Sequence, residues 1–222
     1  MSRLSNLYLI IYNSVSTVLW VSILTRSIKD IYEVLIVKDP TNYYLNHQLI
    51  HDEFPHKFLV YTQLFNSILE LIHSLLGLVR STIPTLIVQA AARSLITLGI
   101  CYTIPTSPGN YNFIFFNTIL WAWSLSDIIR YTFFVFKLID NGKLCPRFLL
   151  WLRYSAFLIL YPLGLISESA TVYLSLSSVK NSPYYHYYFL IFGLSSYIPG
   201  FYFLYGHMLK QRKKVLGRSK SH

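Results

Sequence analysis

Six stretches of this chain are each long and apolar enough to form a helix that crosses a lipid bilayer. Such a helix needs about 20 mainly apolar residues, because the hydrocarbon core is roughly 30 Å thick. Short turns containing Gly, Pro, Asn and Ser separate several of the stretches. The sequence therefore predicts an all-α integral membrane protein, a six-transmembrane-helix bundle forming a single domain over residues 1–222, with spans at about 7–25, 58–78, 83–104, 112–136, 149–176 and 186–208.

The scarcity of charged residues supports a membrane protein and argues against a nucleic-acid-binding one. Only 13% of the residues are charged, against roughly 25% in soluble domains. The net charge is +10, yet six of the bases lie within residues 210–220, which contain no acid. Since the rest of the chain carries no basic face for a nucleic acid to bind, no nucleic-acid partner is expected. Residues 209–222 are predicted to be a basic tail.

The distribution of Lys and Arg predicts how the bundle is oriented in the membrane. With six spans, both termini and the connections 79–82 and 137–148 lie on one side, and together they carry eleven Lys and Arg. The connections 26–57, 105–111 and 177–185 lie on the other side and carry five. Cytoplasmic loops are enriched in Lys and Arg, so both termini are predicted to be cytosolic. The basic tail would then also contact the anionic surface of the lipid bilayer.

Seven ionisable residues lie inside the apolar stretches. Each charged group costs about 2.5–3.5 kcal/mol at the centre of a membrane helix, so such groups usually face the interior of a bundle. The three acids and three arginines among them balance in charge, which suggests ion pairing between helices. A structural ion-pair network, a transport path, a proton relay and an enzyme site all remain open at this point. The seven residues are Glu70, His73, Arg93, Asp127, Arg130, Arg153 and Glu168.

Helical spacing predicts which polar residues share a face. Residues three or four positions apart lie on the same side of a helix. Polar groups from four different helices are therefore expected to point into a common interior. The pairs with this spacing are Glu70 and His73, Asp127 and Arg130, and Gln89 and Arg93.

The fifth stretch contains a tyrosine and a glutamate that suggest acid–base chemistry. Tyr161 and Glu168 are seven residues apart, which is two helical turns and roughly 10 Å. Pro162 and Gly164 between them predict a kink that brings the two side chains closer. A carboxylate in an apolar setting is a good base near neutral pH, and a phenol can donate a proton to an oxygen. The pair could therefore couple a proton abstraction to an elimination.

Several segments of the chain together resemble the 3-hydroxyacyl-CoA dehydratases of very-long-chain fatty acid elongation, also called the protein tyrosine phosphatase-like A family. The resemblance covers nearly everything from about residue 60 onward, and its most specific part is the pattern LRYxxFxxLYPxGxxxE. The segments are ILELIHSLLGLVRS (68–81), VQAAARSLITLGI (88–100), WSLSDIIRYTFF (123–134), LRYSAFLILYPLGLISES (152–169) and YIPGFYFLYGHMLKQRKKVL (197–216).

This resemblance implies a six-span protein of the endoplasmic reticulum membrane that removes water from a (3R)-3-hydroxyacyl-CoA to give a trans-2-enoyl-CoA. It implies no cofactor, no metal, and other fatty acid elongation enzymes as partners. The family's catalytic Tyr and Glu correspond to Tyr161 and Glu168, with Glu168 the expected base and the reverse assignment left open. Asp127 stands where the family often has Glu. The supporting or substrate-binding positions correspond to Glu70, Gln89, Arg93, Asp127, Arg130, Arg153 and Gly164.

Three other classes of function were weighed against the dehydratase. A Cys-x5-Arg phosphatase is not supported, since Ser107 and Trp151 stand six residues after the two cysteines, Cys101 and Cys145. A transporter or proton-coupled carrier could use buried ion pairs, but no inverted repeat is recognisable. A non-catalytic membrane scaffold is the third alternative.

A cluster of histidines and acids in the connection 26–57 could in principle ligate a metal. His and carboxylate side chains are common zinc ligands, but Pro55 lies within the cluster. A structural or solvated role is therefore expected instead of a metal site. The cluster consists of His47, His51, Asp52, Glu53 and His56.

Overall fold

The computed structural model describes residues 3–37, 54, 56–79, 83–139, 144–179 and 184–218, and every regular element within these ranges is helical. The predicted all-α class is therefore confirmed. In chain order the elements are α1 (Arg3–Leu35), α2 (Lys57–Leu75), α3 (Ile83–Ile96) with a π-helical extension (Thr97–Tyr102), α4 (Pro108–Tyr111), α5 (Phe113–Leu138), α6 (Arg147–Ser155), α7 (Phe157–Ser175) with a final 3-10 turn (Leu176–Val179), and α8 (Tyr184–Arg218).

Five helical segments are long and apolar enough to cross a bilayer, and they match five of the six predicted spans. The remaining stretch, 58–78, contains the 19-residue helix α2, which is not in this set. Three polar residues of α2, Gln63, Asn66 and His73, are buried in the bundle. The five candidate spans are Arg3–Leu35, Ile83–Tyr102, Phe113–Leu138, Arg147–Val179 and Tyr185–Gly217.

The first and last helices are longer than predicted. Helix α1 continues to Leu35, so residues 26–35, expected in a loop, are helical. Lys29 and Glu33 pair at 3.7 Å across one turn of this extension, and an i,i+4 pair of this kind supports an exposed helix. Helix α8 continues to Arg218, so most of the basic tail is also helical.

The fifth predicted span is interrupted at a different place from the one expected. Helices α6 and α7 are separated at Ala156, whereas α7 continues through Pro162 and Gly164. At this position the Ala156 carbonyl accepts from the amides of both Ile159 and Leu160, at 3.2 and 3.0 Å. Tyr161 and Glu168 therefore lie two turns apart on one continuous helix.

Polar side chains lie between the helices, and apolar side chains cover the outer surface, as expected for a protein surrounded by lipid. Ser16 donates to Asn66 at 2.8 Å and Ser27 donates to Asn117 at 2.6 Å, both in buried positions between helices. Interhelical hydrogen bonds of this kind hold membrane helices together, because lipid offers polar groups no alternative partner. Large apolar side chains instead cover the outside of the bundle, among them Leu7, Ile11, Val18, Ile114, Ile159, Ile166, Phe192 and Tyr202.

A short turn before α5 fixes the distal end of α7. The Ser107 hydroxyl donates to the Ser175 hydroxyl at 2.6 Å. A Cβ on Gly109 would lie 2.5 Å from the Thr171 carbonyl oxygen, so only glycine permits this close approach. The turn therefore holds α7 against the bundle in a defined position, and Glu168 lies one turn before Thr171.

Candidate active site

Glu168 is buried in the middle of the bundle, where α7 packs against α5. Its Oε1 accepts a hydrogen bond from Trp123 Nε1 at 2.7 Å. Gly164, one turn earlier on α7, lies beside the same carboxylate, since a Cβ there would be 3.7 Å from Oε1 and 3.5 Å from the Ala122 Cβ. A buried carboxylate needs such a donor, because burial without hydrogen bonds is costly. Trp123 thus holds one oxygen of the carboxylate, and Gly164 packs beside it.

Arg93 connects this carboxylate to a second group of charges. Its guanidinium lies 4.9 Å from the centre of the Trp123 ring and 5.6 Å from that of Trp20. It also donates to Gln63 at 3.0 Å and forms an ion pair with Asp127. The Trp123 indole therefore bridges two charges of opposite sign, with Glu168 at its N–H and Arg93 over its face.

The second group of charges is an alternating row of acids and arginines. Asp127 binds Arg130 at 3.0 Å as well as Arg93. Arg130 in turn binds both carboxylate oxygens of Glu70, at 2.7 and 2.9 Å. The Tyr131 hydroxyl donates to the same carboxylate at 2.5 Å. Each charge thus has a partner of opposite sign, as buried ions require, and we call Glu70, Arg130, Asp127 and Arg93 the charge row.

Tyr161 lies on α7 but faces α8. Its ring stacks on Phe201 at 5.6 Å and on Tyr205 at 6.1 Å between ring centres. Its hydroxyl hydrogen-bonds to none of the residues that the structure describes, and it is near enough to Glu168 for the two groups to interact electrostatically. The phenol is therefore held by its ring while its hydroxyl stays available.

Helices α7 and α8 run antiparallel along this contact. Phe157 packs on Tyr205 at 5.6 Å, Tyr161 packs on Phe201, and Tyr197 lies beside Glu168. Later positions on α7 thus meet earlier positions on α8. We call this contact the α7–α8 seam; it comprises Phe157, Tyr161, Glu168, Tyr197, Phe201 and Tyr205.

Most of the predicted site residues meet in this region. The predicted Asp127–Arg130 face is confirmed by their ion pair. His73 hydrogen-bonds the Tyr8 hydroxyl at 2.8 Å and forms none of the ion pairs of the charge row. Gln89 is exposed and does not join Arg93 in the interior. Glu70, Arg93, Asp127, Arg130, Gly164 and Glu168 all belong to the connected group.

Arg153 stands apart from the charge row. Its guanidinium lies 5.9 Å from the Phe134 ring centre and 5.8 Å from that of Tyr154. Within the described ranges it forms no ion pair, although the acids of the charge row are near enough to act on it electrostatically. It is thus a cation held by aromatic rings at the edge of the group.

Sequence reasoning missed the uncharged members of this network. Trp123 contacts Glu168 and Arg93, and Gln63 contacts Arg93. At the two ends of the network, Tyr131 binds Glu70 and Tyr197 lies beside Glu168. Trp123 lies four residues before Asp127, so the spacing that paired Asp127 with Arg130 would also have placed Trp123 on that face. A pattern of charged residues alone does not include an indole, although an indole N–H can bind a carboxylate.

The predicted metal-like cluster lies mostly outside the described residues. Four of its five residues, His47, His51, Asp52 and Glu53, are outside the described residues. The fifth, His56, stacks its ring on Phe116 with 3.6 Å between ring centres and hydrogen-bonds the Asn110 carbonyl at 2.9 Å. In the part of the chain that the structure describes, no three His, Cys, Asp or Glu side chains are grouped to hold a metal ion.

Comparison with known proteins gives a consistent set of relatives. The Schizosaccharomyces pombe protein named "Probable very-long-chain (3R)-3-hydroxyacyl-CoA dehydratase" is 36% identical over 222 residues, covering 96% of this chain and 94% of that protein. The Arabidopsis thaliana "Very-long-chain (3R)-3-hydroxyacyl-CoA dehydratase PASTICCINO 2" is 37% identical over 167 residues, covering 69% and 73% respectively. The human "Very-long-chain (3R)-3-hydroxyacyl-CoA dehydratase 2" is 29% identical over 233 residues, covering 99% and 84%.

The family assignment agrees with these relatives. No solved structure is significantly similar to the chain. Residues 64–218, which include the charge row and the α7–α8 seam, match the family described as "Protein tyrosine phosphatase-like protein, PTPLA". This chain therefore belongs to the protein tyrosine phosphatase-like, or PTPLA, family.

Proposed function

We propose that this chain is a very-long-chain (3R)-3-hydroxyacyl-CoA dehydratase, a hydro-lyase of fatty acid elongation. Relatives that carry this name match most or nearly all of the chain. The observation that carries the proposal is the buried Glu168 carboxylate, held by Trp123 and lying near the unpaired Tyr161 hydroxyl. A proton acceptor and a proton donor on one helix are the two groups that a dehydration requires.

We assign Glu168 as the base and Tyr161 as the acid. The thioester acidifies C2 of the substrate, and Glu168 takes the C2 proton while the electron pair of that C–H bond forms the C2–C3 double bond. The C3–O bond breaks, and the oxygen takes the Tyr161 proton and leaves as water. The proton on Glu168 returns to the Tyr161 phenolate, so the enzyme ends unchanged. No metal or redox cofactor takes part in these steps.

The charge row is assigned a positioning role around Glu168. Because Arg93 lies over the Trp123 ring, it holds the indole whose N–H binds Glu168. Asp127, Arg130 and Glu70 then fix Arg93 in place. Arg153, held by aromatic rings and unpaired within the described residues, is assigned to the substrate, and Gln89 remains a proposed supporting residue.

The proposal includes a six-span topology in the endoplasmic reticulum membrane with both termini cytosolic. Helix α2 is then the additional span, since its polar residues turn into the bundle while Phe58, Tyr61 and Ile68 are exposed. Cysteines introduced at Thr106 and Pro108, which are exposed positions of the connection 105–111, should react with an impermeant reagent only from the lumenal side. Labelling of those cysteines from the cytosolic side would overturn the topology.

The partners implied are the 3-hydroxyacyl-CoA substrate, the surrounding lipid and other elongation enzymes, with no nucleic acid. Within the residues that the structure describes, no feature favours a transporter or a scaffold. The enzymatic proposal is tested by incubating membranes that contain the chain with 3-hydroxyacyl-CoAs of graded length and measuring 2-enoyl-CoA. Tyr161→Phe should lower the rate by at least about a hundredfold.

The matched control is Tyr173→Phe on the same helix, because the Tyr173 side chain is exposed. That variant should retain wild-type activity. Equal activity in the two variants would remove Tyr161 from the mechanism, and no product from the wild-type chain at any length would contradict the proposed function.

A further inference from the structure

Among the C-terminal bases whose side chains the structure describes, Arg212 differs from the lysines because it reaches back to the helix bundle. Its Nε donates to the hydroxyl of Ser155 at 3.3 Å, and Ser155 is itself buried beside the α6–α7 break. Lys210, Lys213 and Lys214, on the same stretch of α8, are exposed. One guanidinium is therefore fixed at the end of the bundle while its neighbours extend outward.

The position of Arg212 continues the α7–α8 seam. At 100° per residue, Tyr197, Phe201, Tyr205 and Arg212 fall within about 80° of one another around α8. Tyr197, Phe201 and Tyr205 line the seam from Glu168 to Phe157. Arg212 therefore stands on the same face of α8, about two turns beyond Tyr205, where the seam reaches the basic end of the helix.

The chemistry of Arg212 suits an anion. It forms no ion pair with any residue that the structure describes, and Ser155 accepts only from Nε. The two terminal nitrogens remain as parallel donors, which is the arrangement that binds phosphate oxygens in pairs. The buried Ser155 hydroxyl orients this pair of donors. An exposed lysine such as Lys213 has no such pair.

We propose that Arg212, held by Ser155 at the end of the α7–α8 seam, binds the diphosphate of the acyl-CoA substrate. This inference rests on the proposed function, because it takes the acyl-CoA substrate from it. The seam would then hold the pantetheine arm between its aromatic rings, with the reacting carbons at Tyr161 and Glu168.

The dimensions of the seam agree with those of the ligand. Thirteen residues separate Ser155 from Glu168, which is about 20 Å along the helix. In an acyl-CoA, about 16 covalent bonds join C3 of the acyl group to the phosphorus nearest the pantetheine arm. An extended chain advances roughly 3.5 Å for every three bonds, so this part of the ligand is about 19 Å long. A phosphate at Arg212 therefore places C3 at the depth of Glu168.

The test measures the binding of three unreactive ligands to the purified full-length chain: a saturated long-chain acyl-CoA, the same acyl group on 4′-phosphopantetheine, and the same acyl group on pantetheine, which has no phosphate. Wild-type protein should prefer both phosphorylated ligands over acyl-pantetheine. In Arg212→Ala this preference should fall about tenfold, and Arg212→Lys and Ser155→Ala should lose part of it. Lys213→Ala, the adjacent exposed base, should keep the wild-type ratio.

Three outcomes would overturn the subsite. The first is that Arg212→Ala weakens the binding of all three ligands equally, as expected if Arg212 binds a lipid headgroup or only stabilises the fold. The second is that Arg212→Ala leaves the preference for phosphorylated ligands unchanged. The third is that Lys213→Ala loses as much of this preference as Arg212→Ala does. Dehydration of 3-hydroxyacyl-CoA is measured in parallel. If binding depends on phosphate and on Arg212 but no dehydration occurs, the proposed function is contradicted and the phosphate subsite is supported. If dehydration occurs but the preference for phosphate does not depend on Arg212, the proposed function is supported and the subsite is contradicted.

Discussion

Replacing Trp123 by Phe removes one hydrogen bond from the proposed base and leaves most of the packing in place. The indole N–H binds Glu168 Oε1 at 2.7 Å in a buried setting, and a hydrogen bond to a charged group contributes about 1.5–3 kcal/mol. In the wild-type chain the Arg93 guanidinium lies 4.9 Å from the centre of the Trp123 ring, and Phe keeps an aromatic face for it. The loss should therefore fall mainly on the orientation of the carboxylate.

If that hydrogen bond aligns Glu168 for proton abstraction, its loss corresponds to about a ten- to 150-fold decrease in kcat. KM should change little, because Trp123 contacts the base and not the proposed phosphate site. Steady-state dehydration of a 3-hydroxyacyl-CoA by the purified variant measures both constants. The matched control is Trp151→Phe, since Trp151 is an exposed indole on α6, and it should retain wild-type kinetics.

A Trp123→Phe enzyme with kcat within twofold of wild type would refute the argument that this indole positions Glu168. So would a variant whose loss appears only in KM. Thermal unfolding of both Trp variants in detergent checks that a lower kcat does not arise from a smaller folded fraction.

Three further predictions concern the supports of the site. Asp127→Asn should destabilise the fold by about 3 kcal/mol, because it leaves Arg93 without a counter-charge and Arg130 with only Glu70; thermal unfolding measures this, and Glu33→Gln, whose partner Lys29 is exposed, should cost less than about 1 kcal/mol. Gly109→Ala should lower the unfolding temperature by several degrees, since the new Cβ meets a backbone carbonyl of α7. Gly164→Ala should keep the wild-type unfolding temperature, because its Cβ would make only ordinary van der Waals contacts, 3.5 Å from the Ala122 Cβ and 3.7 Å from Glu168 Oε1; Gly206→Ala, with no atom within 4 Å of its Cβ, is the matched control, and a lower unfolding temperature in Gly164→Ala alone would contradict this packing.

Helical periodicity predicted the parts of the site that lie on one helix. Asp127 and Arg130 were paired from their spacing, and the structure joins them at 3.0 Å. Periodicity could not predict that Arg93 binds Asp127, because that contact joins two helices whose relative rotation depends on the packing of the whole bundle. Gln89 failed for the same reason: it is one turn from Arg93, yet the helix rotates it to the surface.

The ends of the helices were harder to predict than their approximate positions. Apolar content ends near residue 25, but α1 continues to Leu35 because no Gly or Pro stops it and a Lys29–Glu33 pair spans the added turns. In the fifth span, Pro162 was expected to mark the bend, yet the break lies at Ala156. A proline removes only its own amide and disturbs the preceding turn, so α7 can continue through Pro162.

The contact between Trp123 and Glu168 joins residues 45 positions apart, and no local pattern connects them. The resemblance to known dehydratases pointed to Glu168 and Tyr161, whereas the indole that holds the carboxylate became apparent only when α5 and α7 were packed together. Uncharged donors of this kind are the part of a membrane site that charge patterns leave out.

The central claim is that Glu168 removes the C2 proton of a 3-hydroxyacyl-CoA. The most direct measurement is the rate of trans-2-enoyl-CoA formation by purified protein in lipid bilayers, for wild type and Glu168→Gln, with equal unfolding temperatures required of both. The account predicts product from the wild-type chain and a rate at least about a hundredfold lower from the variant. A folded Glu168→Gln protein that forms product at the wild-type rate would contradict it.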